Sequence, residues 1–389
     1  MNHDDVTQAG RWRPLTVSSP EGPVAAVMEA DAVDAVRNLR TLLVRGPVFG
    51  VVAQHPREAP RWRVIEEVTA GCPQLARDSL NSTLWFRAKD EARNREERRA
   101  LLAAVALLEK EPVDELTVLG TRYRVVRAEE YAGGGRDDSG PEKPRPTDPE
   151  PAVPVWDSRD TDPRPDEGLI LDPDAPVTPA QAAEHLLLRE LTYGGLRLSL
   201  SGDVLADSRR ALESHPEVML MPTLFRVVER RGSGRWSPGG SLHARAHDAR
   251  RALEFGLTWL EPRRRGLIPE DTIDRDIDAR SVAADTTHPA AETLAQYARA
   301  ADLLREKRAD EVECHGTVHR ICRVGRLLRW GPDGPERVRP SDVSSYPPTR
   351  IHPFLDDDGI IHHDRDDDED TDEERGMDGI GGEGRGEGG

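Results

Sequence analysis

The sequence predicts an α+β protein formed by internal duplication: two lobes about a pseudo-twofold axis, a disordered linker and a disordered acidic tail. Three observations predict it. Leu107-Leu108, Asp114-Glu115, Gly120-Thr121, Arg124 and Arg127 recur without a gap as Leu303-Leu304, Asp310-Glu311, Gly316-Thr317, Arg320 and Arg323, all 196 positions later. Gly-Pro-Glu-Lys-Pro-Arg-Pro-Thr-Asp (140–148) returns as Gly-Pro-Glu-Arg-Val-Arg-Pro-Ser-Asp (334–342), 194 positions later. The apolar helical positions Leu101, Val105 and Leu108 become Tyr297, Ala301 and Leu304, so the buried face is kept at the same offset as the identities. Helices mixed with hairpin-paired strands point to α+β rather than a doubly wound parallel sheet.

The elements follow in order. Residues 1–20 are polar with scattered Trp12 and Pro14 and read as a flexible leader; lobe 1 occupies 21–148. Ala30–Leu43 has helical apolar spacing, and Gly46-Pro47 stops it. Val48–Ala53 and 61–66 read as strands, Leu75–Trp85 as a helix, and 88–110 as one longer helix. Leu116–Leu119 and 122–128 flank Gly120-Thr121 as a β-hairpin. Residues 132–168, with eight prolines and mostly charged or small side chains, carry too little apolar surface to order themselves; 149–168 is the linker proper. Lobe 2, 169–350, repeats the unit after an N-terminal extension that holds a helix over 180–191. There, 205–212 reads as a helix and 218–221 and 224–229 as strands, Phe225-Arg-Val-Val-Glu229 echoing Trp62-Arg-Val-Ile-Glu66. Helices over 242–260 and 290–308 follow, separated by an insertion at 261–289. Each copy thus reads helix, strand, strand, helix, longer helix, hairpin. Residues 351–389 read as a disordered acidic tail.

Charge narrows the function classes. Of the net −18, residues 354–389 contribute −12 and 132–168 contribute −5, so the remainder is close to neutral. A near-neutral body gives no electrostatic reason to expect nucleic acid or an anionic membrane as partner. No stretch approaches the ~20 apolar residues of a membrane span, and no basic leader followed by an apolar run stands at the start, so a cytoplasmic location is expected. Three cysteines make a disulfide framework unlikely to be the organising device. Four lysines among 54 basic residues suggest a high-GC bacterial coding sequence.

Four constellations bear on chemistry. Cys314, His315, His319 and Cys322 could in number satisfy a tetrahedral zinc. Their counterparts in the first copy are Val118, Leu119, Tyr123 and Val126, so core packing is the preferred reading and no metal is expected. His243 and His247 have the spacing of a zincin helix, but Ala244 replaces its glutamate base; surface histidines are expected. Gly232–Ser241 is glycine-rich without the ending of a phosphate loop, and reads as a flexible connection whose Ser237 or Ser241 caps the next helix. The paired Arg-Pro-Thr/Ser-Asp elements (Arg145 to Asp148, Arg339 to Asp342) read first as local turns. Alternatively Arg124, Arg127, Arg145, Asp148, Arg320, Arg323, Arg339 and Asp342 form a polar ligand or partner surface across the pseudo-twofold.

Arg122-Tyr-Arg-Val-Val-Arg127 and the paired Arg-Pro-Thr-Asp and Arg-Pro-Ser-Asp elements resemble a group of actinomycete proteins classified only as a domain of unknown function. The resemblance covers most of 20–350 and implies no catalytic, cofactor-binding or metal residues. The expectation is a monomeric, non-catalytic binding module for a protein or small molecule, with no cofactor. The competing expectation is a hydrolase-type enzyme with its site in the cleft between the lobes.

Overall fold

The computed structural model describes residues 13–134, 140–157, 159, 162–191, 202–271 and 273–362. Its first half contains α1 (Pro23–Asn38), β1 (Thr41–Gln54), β2 (Trp62–Ala70), α2 (Pro73–Phe86), α3 (Arg95–Leu108), β3 (Glu115–Val118) and β4 (Thr121–Gly134). A short β5 (Ile170–Leu171) and α4 (Pro179–Leu188) lead to α5 (Gly202–Ser214), β6 (Glu217–Leu220), β7 (Leu224–Arg231) and β8 (Ser237–His243). The chain continues through α6 (Ala246–Phe255), α7 (Glu261–Arg264), α8 (Ala279–Ala283), α9 (Ala291–Lys307), β9 (Glu311–Cys314), β10 (Thr317–Gly331), β11 (Gly334–Pro335), β12 (Phe354–Leu355) and β13 (Ile361–His362). Helices stand against a mainly antiparallel sheet, an α+β arrangement.

One sheet runs β5-β2-β1-β4-β10-β7-β8, with β3 added to β4 and β6, β9 and β11 added to β10. Helices α2 and α3 pack Leu80, Leu84, Leu101 and Leu108 against Phe49, Val51 and Val125. Helices α6 and α9 pack Leu253, Leu257, Leu294 and Leu304 against Phe225, Val227 and Ile321. The sheet's centre is a ladder of only four pairs: Ala128–Leu328, Glu129–Leu327, Glu130–Arg326 and Tyr131–Gly325. Glu129, Glu130 and Tyr131 stand 196 positions before Gly325, Arg326 and Leu327, so the ladder maps onto itself at that spacing. Gly325 is required there, because a Cβ would lie 2.2 Å from the Tyr131 ring. Beside it Arg326 and Asp166 form a fully buried ion pair, and Asp166 also accepts the Val68 N–H at 3.0 Å.

Both hairpins turn through two left-handed residues, Leu119-Gly120 (φ 50° and 76°) and His315-Gly316 (φ 49° and 74°). That double positive φ is the twist a two-residue antiparallel connection needs.

Several sequence expectations are corrected. The helix expected over 30–43 ends at Asn38, and 41–43 already pair with β4. The helix expected over 88–110 is two pieces: a π-turn over Arg87–Glu91, then α3, capped by Asn94, whose side chain accepts from the Glu97 N–H at 2.8 Å. The glycine-rich 232–241 is not only a connection, since its end is strand β8, and α6 starts at Ala246 without a serine cap. The counterpart of Phe225 is Phe49 rather than Trp62: Phe49 pairs with Arg127 and Phe225 with Arg323. Strands β6 and β7 together run along β10 as β1 runs along β4, and β8 pairs with β7 as β2 pairs with β1.

Composition misled most over 132–168. Residues 132–134 end β4, and the described part of 140–168 is fixed by specific polar contacts, with Trp156 packed against the second core. Glu150 pairs with Arg250 at 2.7 Å, Val155 O accepts from His247 Nε2 at 2.8 Å, and Asp162 and Asp166 meet His243 and Arg326. In the leader, Val177 N–H donates to Thr16 O and Ser18 N–H to Val177 O, both at 2.9 Å. Of the acidic tail, 351–362 forms the β12–β13 hairpin, with Asp357 on Arg99 at 2.6 Å. Residues 363–389 and 1–12 lie outside the described residues.

Candidate functional site

The eight arginines and aspartates read as a surface are engaged with one another and with the chain's own glutamates and backbone. Arg124 Nε donates to Glu115 Oε2 at 2.6 Å, and Arg320 Nε to Glu311 Oε2 at 2.5 Å. Each guanidinium also lies over an indole, Arg124 over Trp62 at 4.8 Å and Arg320 over Trp236 at 4.5 Å. The Arg-Pro-Thr/Ser-Asp elements are closed turns: Asp148 Oδ2 accepts the Arg145 N–H and Asp342 Oδ2 the Arg339 N–H, both at 2.8 Å. Arg145 Nε donates to Glu142 at 2.5 Å and Arg339 Nε to Glu336 at 2.7 Å.

These turns are exchanged between the halves. Arg127 of β4 holds Asp342, and Arg323 of β10 holds Asp148, each at 3.0 Å. Arg124 Nη1 donates to Pro335 O at 2.8 Å, and Arg320 Nη1 to Pro141 O at 3.0 Å. Burial alone would lower the Arg127 pKa, but Glu129 and Asp342 hold it above the ordinary value. Gly140 and Gly334 both take positive φ (92° and 102°), and a Cβ on either would strike the indole of Trp236 or Trp62. All eight residues are satisfied by this exchange, which makes it an assembly device.

Cys314 sits in the core beneath α6 and α9, and burial pushes its thiol up to about 11. Cys322 lies beside Glu130 and Arg226, and burial pushes it up to about 12. His315 is at the hairpin turn against the Tyr297 ring, 4.5 Å between centroids, and His319 is 3.4 Å from Glu229. Among the described residues no group of three or more His, Cys, Asp and Glu side chains is arranged to hold a metal ion. His243 and His247 are buried, not surface residues, because Val155, Trp156 and Asp162 lie against them. His243 Nδ1 meets Asp162 Oδ2 at 2.8 Å, and Trp156 stands edge-on to His247.

The space with most chemistry is a cleft of about 890 Å³ between β7–β8 and α6 with its following π-turn. Its polar lining includes Glu229, His319, Asp248, Tyr297, Arg264 and Arg265; Val227, Leu253, Phe255 and Leu260 supply apolar wall, and Gly239, Gly240 and Gly256 leave room. Helix α6 and its following π-turn carry Ala249, Arg250, Leu253 and Leu257 at the same spacing as Ala76, Arg77, Leu80 and Leu84 of α2. Arg77 and Arg250 hold Asp114 and Asp310, each at 2.6 Å. At that spacing Asp248 aligns with Leu75, and Gly256 with Thr83.

At the matching place among the described residues of the first half the space is smaller. Ala53 faces Tyr123 across β1–β4, whereas Glu229 faces His319 across β7–β10. Arg87 donates to the Tyr123 hydroxyl, and the residual space there is about 340 Å³. In the second half the smaller imidazole at 319 and glycine at 256 leave the cleft open.

A family model matches residues 22–345. The chain belongs to DUF5954, a family of unknown function. No curated protein and no solved structure matches it. The span matched in this DUF5954 chain takes in both exchanged turns and the cleft.

Titration sorts the cleft's groups. His319 holds the Glu229 carboxyl below the usual range, against the opposing effect of partial burial. Burial, then the neighbouring Asp162, pushes Asp248 above it; Asp248 is 4% exposed and its Oδ2 has no hydrogen-bond partner. Tyr297, 2% exposed, also has an unpartnered hydroxyl, and burial pushes it up to about 12. Sequence reasoning missed Asp248 because it was read within a helix starting at Leu242; aspartate beside His247, one residue before the apolar stripe of α6, was the available signal.

Proposed function

We propose that this DUF5954 chain is a non-catalytic binding protein, an internally duplicated α+β module whose second half has an open ligand cleft. The observation carrying this reading is the contrast at one pair of ladder positions: Ala53 with Tyr123 in the closed half, Glu229 with His319 in the open one. Duplication is supported by contacts that recur in both halves: Arg77–Asp114 with Arg250–Asp310, and Arg127–Asp342 with Arg323–Asp148. On this reading the chain is a monomer with pseudo-dimeric halves and takes a small molecule. A non-catalytic role is favoured because burial drives the Cys314 thiol and the Tyr297 phenol away from their nucleophilic forms.

A hydrolase is the second reading. It is favoured by the Asp162–His243 pair, which borders both the cleft that Ser241 lines and a space of about 500 Å³ between β2 and the end of β8.

Gly256 supplies the test. It has ordinary helical dihedrals, and a Cβ built there meets nothing within 4 Å. Gly256→Leu is expected to keep the fold and fill the cleft. Small molecules retained through native purification, identified by mass spectrometry, are expected with the wild type and absent from the variant. Identical recovery from both would refute the cleft as the site.

A further inference from the structure

Resting on that reading of the cleft, we infer that its ligand is an organic cation, an amine or guanidine on an apolar body, whose charged end is held by Asp248. Most of the cleft's cationic groups already have carboxylates, the exposed Arg231 apart. Arg264 and Arg265 meet Glu261 at 2.7 and 2.8 Å, His319 stands by Glu229, and Arg251 and His243 share Asp162. Asp248 is the exception. Its nearest cation, Arg245, is 3.7 Å from Oδ2, beyond hydrogen-bond reach.

The other groups facing Asp248 do not relieve it. Asp162 adds like charge, Arg251 is engaged with Asp162, and His247 is bonded to Val155 O through Nε2. An ionised carboxylate only accepts, so its complement is an N–H donor, and a cationic donor supplies charge as well. A buried carboxylate left without that complement is costly and is kept where it has a use. The unpartnered Tyr297 hydroxyl offers a further hydrogen bond on the lining, and Val227, Leu253 and Phe255 suit a hydrocarbon or aromatic body. An anion would meet Asp248, whose Oδ2 has no hydrogen-bond donor, and cations most of which are already engaged.

Ligand-observed NMR titrations of the full chain with benzylamine, benzyl alcohol and benzoate hold shape constant while changing charge. Benzylamine is expected to bind at least about tenfold more tightly than the other two, one factor of ten being the smallest preference a single charge contact should give. Asp248→Asn, checked by near-ultraviolet circular dichroism, is expected to abolish that preference while leaving benzyl alcohol unchanged; Gly256→Leu is expected to lose all three. Benzoate or benzyl alcohol binding as tightly as benzylamine, and lost in Gly256→Leu, would overturn the cation and leave the cleft standing. Failure of all three to bind, or binding that Gly256→Leu leaves untouched, would overturn both.

Discussion

Asp248 and Leu75 occupy matching places on two helices with opposite chemistry, and the difference has a thermodynamic signature. The folded chain raises the Asp248 pKa, so it holds that proton more tightly than the unfolded chain does. The associated stability is complete below the ordinary carboxylate pKa and is lost as pH rises through the higher folded value. Asp248→Asn is therefore expected to be more stable than the wild type at about pH 7, by roughly 1–2 kcal/mol, the usual penalty for a buried unsatisfied group. The advantage should shrink as pH falls and be gone at about pH 2–3, below the ordinary aspartate pKa, where the carboxyl is protonated in both states. Chemical denaturation at the two pH values checks this; an Asn variant less stable than the wild type at neutral pH would show that Asp248 has a protein partner. Its place beside His247 was legible in the sequence, but its burial was not, because that depends on tertiary contacts such as Asp162 near the start of α6.

At the scale of elements, the hairpins and amphipathic helices were legible because their signals are local: periodicity in α2 and α9, Gly120-Thr121 and Gly316-Thr317 at the turns. Strand β8 was not, since Pro238, Gly239 and Gly240 suppress every strand preference; Pro238 and Gly239 are held by pairing with β7, and Gly240, at φ 61°, falls at an irregularity in that pairing. The unequal spacing of the halves hid the rest. Arg77 and Arg250 lie 173 apart while Asp114 and Asp310 lie 196 apart, so no single offset aligns both partners. Local strain also sits at this scale. Leu119 is exposed in a left-handed conformation that costs a branched side chain roughly 1–2 kcal/mol. Leu119→Asn, giving the Asn-Gly pair such turns favour, is expected to stabilise the protein by about 1 kcal/mol. An unchanged denaturation midpoint would count against the assigned turn.

For the whole molecule, the exchanged turns decide how the halves depend on each other. Arg124 and Arg127 find partners in 333–342, and Arg320 and Arg323 find theirs in 141–148. Breaking a buried ion pair by removing one partner costs about 3–5 kcal/mol, and separating the halves would break several together. Fragments divided within 192–201 are therefore expected to co-purify as one folded heterodimer. Neither fragment alone should give dispersed NMR spectra; two independently folded fragments would refute this interdependence. None of it was readable from the repeated Arg-Pro-Thr/Ser-Asp elements, which fix a turn but do not say on which half the turn rests.

The central ladder carries one more consequence. Glu130 faces Arg326, its own counterpart at the 196 spacing. Two identical chains meeting this way would set glutamate against glutamate, or arginine against arginine, a repulsive pairing. On the proposed duplication, joining the copies in one chain freed that position from having to match itself. The same freedom lets one half keep a closed core while the other gives up packing for an opening. The binding stoichiometry is then one ligand per chain, where a symmetric ancestor would have had none or two.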